Sequence, residues 1–367
     1  MREVNINGVQ YRLNGDNLTT EVIERREGIF NDYEGDIIIP DTVKFNEATY
    51  RVTSIAPKAF YCCKSLRSIT IPASVTSIGE DAFCFCSSLT AIKVAEGNTV
   101  YDSRENCNAL IHTATSTLIR GCQNTSIPNS ITSIGKRAFD GCTSLKSITV
   151  PDSVTNIGEE AFCCCESLKL ITILDSVKSI GYRAFHKCES LTTIIMCDSV
   201  MRIGKEAFNC CESLKSITIP ASVTSIGEDA FNCCFSLKYI TLIDSVKTIG
   251  RCAFSRCESL KCITIPDSVR IISWHAFDGC KSLRTITIPD SVRSIEDGAF
   301  KDCESLEHIF IPDSVVNIGA NVFYNCNWPC KIHYDGTVAQ WEKITKDEDW
   351  SGSPRCIVYC YDGHLVI

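Results

Sequence analysis

The stretch from Ser130 to Pro151, SITSIGKRAFDGCTSLKSITVP, decides the fold of this chain, because close variants of it recur almost to the end. Its phenylalanine returns every 23 residues, with one interruption between the second and third units. A constant period of this length is the signature of a solenoid or repeat array rather than of several globular domains. The eleven marker phenylalanines are Phe60, Phe83, Phe139, Phe162, Phe185, Phe208, Phe231, Phe254, Phe277, Phe300 and Phe323.

Within one unit, the spacing of apolar residues predicts which side chains point inward. The final Ile148-Thr149-Val150 alternates with period two and predicts a short strand. Residues 136–139, KRAF, are expected to form a helical turn, and Gly135 permits a positive φ or a close backbone approach. One unit buries too little surface to fold alone, so the units must stack. The predicted inward set of the third unit is Ile131, Ile134, Ala138, Phe139, Cys142, Leu145, Ile148 and Val150.

Cysteine supplies a second repeated column. The chain contains 25 cysteines, and eleven of them lie three residues after a marker phenylalanine. A position filled in every unit predicts packing, because a free thiol behaves as a small buried hydrophobe. The eleven cysteines of this predicted ladder are Cys63, Cys86, Cys142, Cys165, Cys188, Cys211, Cys234, Cys257, Cys280, Cys303 and Cys326.

Three regions flank or interrupt the repeat. Residues 1–50 are predicted to form an N-terminal cap, with a β-hairpin at Asn7-Gly8 and a first strand at its end. Residues 51–334 are predicted to form the solenoid, in which residues 95–127 are an extended, hairpin-like insert. Residues 335–367 are predicted to form a C-terminal cap, because the ends of a solenoid need an atypical unit to cover their apolar faces.

The bulk composition argues against some classes of partner. The net charge is −8 and no cluster of lysine and arginine is present, so neither nucleic acid nor an anionic membrane surface is an expected partner. The apolar runs are only a few residues long, so no membrane span is predicted. Residues 1–5, MREVN, carry no apolar leader. Two expectations follow: an intracellular protein, or a secreted one whose leader was removed.

The repeat resembles the BspA-like, or Treponema pallidum-type, leucine-rich repeats of gut and oral Bacteroidetes. The matching residues are Leu-x-x-Ile-x-Ile-Pro from Leu214 to Pro220 and Ser-Val-x-x-Ile-Gly-x-x-Ala-Phe-x-x-Cys from Ser222 to Cys234. The similarity extends over about residues 37–334, and segments 101–108 and 337–341 are also similar to members of that family. The resemblance implies a right-handed, β-rich leucine-rich-repeat solenoid. It also implies adhesion or protein binding at the cell surface or outside the cell.

No catalytic or cofactor-binding motif is present, so neither enzymatic activity nor a cofactor is predicted. An enzyme would need a pocket of converging polar groups, which we would expect in the insert or the tail. The dense cysteines at 163–165, 210–211 and 233–234 raise two alternatives, a metal site and a disulfide between Cys210 and Cys233. Because no Cys-x-x-Cys pair occurs and zinc ligands must converge, we predict packed thiols and no metal site.

The outward face of the strands is the predicted binding surface. Its positions flank the first isoleucine of Ile-x-Ile and are mostly serine and threonine. Apolar and aromatic exceptions suit recognition on a rigid surface, although solitary apolar residues are also common on surfaces without a role. The predicted function is a non-enzymatic adhesion module for a protein, of the host matrix or a bacterial surface, or for a glycan; the alternative is an intracellular scaffold. The candidate ligand-binding residues are Leu170, Ile195, Tyr239, His308 and Phe310.

Overall fold

The computed structural model describes residues 1–25, 33–326, 330–352 and 356–367. These residues group into two compact units, residues 1–171 and 172–367. Both units are built from β-solenoid turns, about 13 in all, with almost no helix. This number exceeds the eleven marked repeats because the insert and the chain ends add turns that lack the phenylalanine. Residues 26–32, 327–329 and 353–355 of the predicted caps and solenoid lie outside the described residues.

Most turns contribute a face strand, which is the longer strand of the turn and corresponds to the Ile-x-Ile segment. Its residues alternate between exposed and buried, so one side of the strand faces the core. Neighbouring face strands pair in parallel, with Ile217 opposite Ile240 as an example. The face strands are Gly35–Ile38, Leu66–Ile71, Ala91–Val94, Ser147–Val150, Leu170–Ile173, Thr193–Met196, Ser216–Thr218, Tyr239–Thr241, Thr285–Thr287, His308–Pro312, Lys331–Asp335 and Ile357–Cys360.

The second strand of a turn is only two residues long and in most turns ends at an isoleucine directly before a glycine. A Cβ atom on Gly227 would lie 2.5 Å from the carbonyl carbon of Gly204. Glycine is therefore required here by the close approach of two backbones rather than by a positive φ. The two-residue strands are Ser77–Ile78, Ser133–Ile134, Asn156–Ile157, Ser179–Ile180, Arg202–Ile203, Ser225–Ile226, Thr248–Ile249, Ile271–Ile272, Ser294–Ile295, Asn317–Ile318 and Thr345–Lys346.

The marker phenylalanines lie in tight turns that replace the helical turns expected from the sequence. Arg137, two residues before the ring, has a φ of 55° and so lies in the left-handed region. The rings are buried and stack: Phe60 on Phe83 at 5.3 Å and Phe139 on Phe162 at 4.8 Å in the first unit. In the second unit the consecutive rings from Phe185 to Phe323 stack at 5.2 to 6.1 Å.

The ladder cysteines do more than fill space. The thiol of Cys234 donates a hydrogen bond to the Phe208 carbonyl of the preceding turn at 3.2 Å. Cys257 makes the equivalent bond to Phe231 at 3.3 Å. Burial raises the pKa of both thiols well above the ordinary value, so each keeps the proton that it donates. Each such thiol therefore gives a buried carbonyl a hydrogen-bond partner as well as packing against the rings.

The chain ends and the insert add strands to this scheme. Thr19–Val22 pairs in parallel with Ala48–Ile55, and Lys331–Asp335 with Ile357–Cys360, so solenoid pairing extends into both predicted caps. The tail aromatic Trp350 packs edge to face on Phe323 at 6.1 Å. The remaining elements are strands Arg2–Ile6, Val9–Asn14, Thr19–Val22, Thr42–Phe45, Ala48–Ile55, Tyr101–Asp102, Leu110–His112, Thr117–Arg120 and Gly363–Val366, 3₁₀ helices Arg104–Asn106 and Thr113–Thr115, and α-helix Val338–Lys343.

The first unit contains several antiparallel hairpins, including the two that the sequence predicts. Arg2–Ile6 pairs with Val9–Asn14 around Asn7 and Gly8, whose φ values are 52° and 82°. These values fit the tight turn that twists with the flanking strands. In the insert, Leu110–His112 pairs with Thr117–Arg120. No helix in the described residues is both long and apolar enough to cross a bilayer.

Candidate binding surfaces

The structure places all five candidate residues at outward positions of face strands. Leu170 lies in the first unit, with 38% of its surface exposed. In the second unit, Ile195 is 49%, Tyr239 53% and Phe310 41% exposed, whereas His308 is half-buried. Tyr239 has only small neighbours across the strands, Ser216 and Cys262.

Two of the five, His308 and Phe310, belong to a larger group that we call the aromatic cluster: His308, Phe310, His333, Tyr359 and Tyr361. The parallel register places Phe310 opposite His333, and His333 opposite Tyr359. The rings of Phe310 and His333 stack at 4.6 Å, and those of His333 and Tyr359 at 5.4 Å. Three successive strands thus present a continuous row of rings on the outward face.

A shallow cavity of about 530 Å³ lies beside this row. Phe310, His333 and Tyr359 line it together with the carboxylates of Asp290 and Asp335. Tyr361, which is 74% exposed, donates its hydroxyl to the Asp335 carboxylate and stands at the same cavity. The surface therefore combines exposed rings with negative charge, a combination that attracts apolar and cationic side chains.

The two histidines of the cluster are coupled. Nδ1 of His308 and Nε2 of His333 are 2.9 Å apart, so one ring donates the proton that the other accepts. Burial lowers the pKa of His333, and the positive charges of His308 and Lys331 lower it further. The neutral form of the His333 ring is therefore favoured.

Three members of the cluster, His333, Tyr359 and Tyr361, were not predicted from the sequence. They lie beyond the last marker phenylalanine, Phe323, at the end of the predicted solenoid or in the predicted C-terminal cap. The available signal was the alternation of Lys331–Asp335, KIHYD, which has the pattern of the strand His308–Pro312, HIFIP. Turns after the last marker phenylalanine therefore still contribute face strands.

A different, polar site is formed by the insert, in the first unit. Gly121 donates its N–H to the Ala138 carbonyl at 2.8 Å, the bond that a marker phenylalanine makes in regular turns. A Cβ on Gly121 would lie 2.1 Å from the Phe139 ring, so no side chain fits there. The neighbouring Arg120 is 3% exposed and donates to the carbonyls of Arg137 at 3.0 Å and Asp140 at 2.9 Å. Its buried guanidinium thus ties the insert to the turn that carries Phe139.

A cavity of about 180 Å³ lies beside Arg120, in the region where an enzyme's pocket of converging polar groups would be expected. Its charged groups pair with one another. Arg137 bridges Asp81 at 2.8 Å and Glu160 at 2.5 Å, and Lys136 lies 3.8 Å from Glu80. The pairs of Arg137 with Asp81 and of Lys136 with Glu80 link turns on either side of the insert, which favours a structural role for these charges.

Comparisons with known proteins agree with this architecture. The sequence profile of the BspA type leucine-rich repeat region matches in six copies, over residues 40–117, 117–238 and 224–343. Among curated proteins, none shows significant similarity to this chain.

Several solved structures are similar over nearly the whole chain. A leucine-rich cell surface protein from Faecalibacterium prausnitzii is 29% identical, with a TM-score of 0.50, covering 95% of this chain and 98% of that one. A leucine-rich repeat protein from Bacteroides ovatus is 27% identical, with a TM-score of 0.52 and coverage of 98% and 100%. The pneumococcal vaccine antigen PcpA shares the fold, at 19% identity, a TM-score of 0.55 and coverage of 95% and 89%.

Proposed function

Because this chain belongs to the BspA-type leucine-rich repeat family, we propose that it is a non-enzymatic protein-binding module whose partner docks on the aromatic cluster. The observation that carries the proposal is the row of stacked rings of Phe310, His333 and Tyr359 beside an open cavity. Aromatic side chains supply most of the binding energy in protein interfaces, because they bury large areas at a low entropic cost. A rigid ladder holds them in place before the partner arrives.

The partner that fits this surface is a protein segment that presents basic and apolar side chains. Asp290 and Asp335 line the cavity, and the chain as a whole carries a net charge of −8. A lysine or arginine of the partner would lie over the rings of Tyr359 or Phe310 and beside these carboxylates. Complementary charge of this kind sets specificity and speeds association.

We place this binding at the cell surface or outside the cell, as an adhesive function. The similarity to a Faecalibacterium prausnitzii protein described as a cell surface protein, at 29% identity, supports this location. Protease treatment of intact cells tests it: a surface protein is digested before the cells lyse. Protection until lysis would instead identify an intracellular scaffold.

The binding proposal is tested by selecting a random peptide library, displayed on phage, against the full chain. We expect enrichment of peptides that combine basic with apolar residues, and at least a tenfold loss of affinity for them in a Phe310→Ala/Tyr359→Ala variant. Selected peptides that bind this variant and the parent equally would refute the site. An array of immobilised glycans, tested in parallel, would refute the assignment of a protein partner if sugars bound at the cluster and no peptide did.

A further inference from the structure

We propose that Asp140, Cys163 and Cys164 form a binding site for one thiophilic divalent cation of the zinc class. In the part of the chain that the structure describes, these are the three metal-ligating side chains that converge, with their ligand atoms all within 4.8 Å of one another. The two sulfur atoms are 3.5 Å apart. All three residues lie in the first unit.

The stacking of turns brings these ligands together. Asp140 directly follows Phe139, and Cys163 directly follows Phe162, so the two occupy equivalent positions in adjacent turns. The two turns are joined by the hydrogen bond from the Gly141 N–H to the Cys163 carbonyl at 2.9 Å. The third ligand, Cys164, has a φ of 55°, a left-handed conformation within the tight turn.

The spacing suits a tetrahedral ion. With zinc–sulfur bonds of about 2.3 Å, two thiolates on a tetrahedral ion lie about 3.8 Å apart. The observed separation of 3.5 Å needs a change of only a few tenths of an ångström. One carboxylate oxygen and two thiolates fill three corners, and the fourth is open to water through the half-buried Cys164.

The Asp140 side chain provides a second observation, independent of the ligand spacing, that points to a cation. It is 5% exposed, yet its Oδ1 has no hydrogen-bond partner. Buried carboxylate oxygens are normally paired, so an orphan of this kind points to an absent cation. Arg120 does not fill this role, because its Nη2 donates to the main-chain carbonyl of Asp140.

A cation bound at this cluster would offset the cost of burying its acidic groups. Burial raises the pKa of Asp140 to about 6, against the lowering effect of Arg120 and Arg137. Two main causes raise the pKa of Cys163 far above its ordinary value: the hydrogen bond with Cys164 is the larger, and burial is the smaller. A bound divalent cation reverses both effects, since it stabilises each anion directly. Together with the Arg120 guanidinium, it would balance one carboxylate and two thiolates.

The test uses the reduced full chain and Zn²⁺, titrated in competition with a chromophoric chelator, with Co²⁺ as a spectroscopic probe. We expect one tightly bound equivalent, a thiolate-to-cobalt charge-transfer band and the release of protons on binding. Because Cys164 is half-buried, Cys164→Ser should fold normally and weaken binding at least tenfold, as should Asp140→Asn. The matched control is Cys210→Ser/Cys233→Ser, which removes two other half-buried thiols and should leave binding unchanged.

Three outcomes would overturn the proposal. The first is no stoichiometric binding by the reduced parent chain. The second is binding that survives the combined removal of Cys163 and Cys164, which would indicate nonspecific capture by the other thiols. The third is loss of binding in the Cys210→Ser/Cys233→Ser control while circular dichroism shows that it is folded.

Discussion

Across the turns of the second unit, the inward positions repeat the same residues, whereas the outward positions of the face strands change from turn to turn. The inward rings at Phe208, Phe231 and Phe254 are identical and fully buried. The outward position changes from Ser216 to Tyr239 in adjacent strands. An inward side chain must fit the turns above and below it, while an outward one touches mainly solvent. The inward residues therefore determine stability, and the outward residues of the face strands are free to vary for recognition.

The largest expected effect comes from breaking the inward column. Phe231→Ala should lower the free energy of unfolding by about 3–5 kcal/mol, because it removes a ring stacked on both neighbours and leaves a cavity. Tyr239→Ala, at the outward position of a nearby strand, should change it by less than about 0.5 kcal/mol. Urea denaturation followed by circular dichroism measures both. Equal losses would contradict the division between interior and face.

In the insert, the repeated inward residue is replaced: Gly121 makes the hydrogen bond that a marker phenylalanine makes in regular turns. Arg120→Ala should cost about 2–4 kcal/mol, because it removes the guanidinium hydrogen bonds to the carbonyls of Arg137 and Asp140 and opens a cavity. Arg120→Met should cost less, since it keeps the volume and removes a buried charge. Lys136→Ala, at a half-exposed neighbour, is the control. An effect of Arg120→Ala no larger than that of the control would show that the buried guanidinium does not stabilise the insert.

The regular repeats and the insert also differ in how far the sequence predicts their structure. The 23-residue period predicts the solenoid, and the alternation in Tyr239–Thr241 and His308–Pro312 predicts which side chains face outward. The buried position of Arg120 could not be predicted, because the insert has an irregular length and is out of register with the repeat. The sequence does contain a signal for the convergence of Asp140 on Cys163, because the two residues are one 23-residue period apart; the signal joins residues of different type and so stands out less than the cysteine column.

A charged group inside the turns should make stability depend on pH. Because the fold raises the pKa of Asp140 to about 6, above the unfolded value of about 3.9, its protonated form is favoured in the folded state. Its stabilising contribution is present below pH 4 and is lost as the pH rises through 6. Asp140→Asn, measured by denaturation in chelator at pH 4 and pH 7, should remove this part of the pH dependence, at most about 3 kcal/mol. An unchanged difference between the two pH values would contradict the burial of a titrating carboxyl.

On the face, the corresponding effect is smaller and is best observed by titration. The fold lowers the pKa of His333, mainly through burial and then through His308 and Lys331. The neutral ring is thus favoured, and this contribution to stability is present above about pH 6.5 and lost as the pH falls below it. His308→Ala should raise the pKa of His333 part of the way towards its ordinary value. NMR of the imidazole protons measures the shift, and no shift would show that the pair is not coupled.

The most direct test of the account measures affinity and thermal stability together for two matched variants of the face. One is Phe310→Ala/Tyr359→Ala, within the aromatic cluster; the other is Thr218→Ala/Thr241→Ala, at exposed positions of other face strands in the same unit. Surface plasmon resonance with a selected peptide should show at least a tenfold rise in Kd for the first variant and none for the second, with both Tm values close to that of the parent. Equal affinities for the two variants would contradict the assignment of recognition to the aromatic cluster.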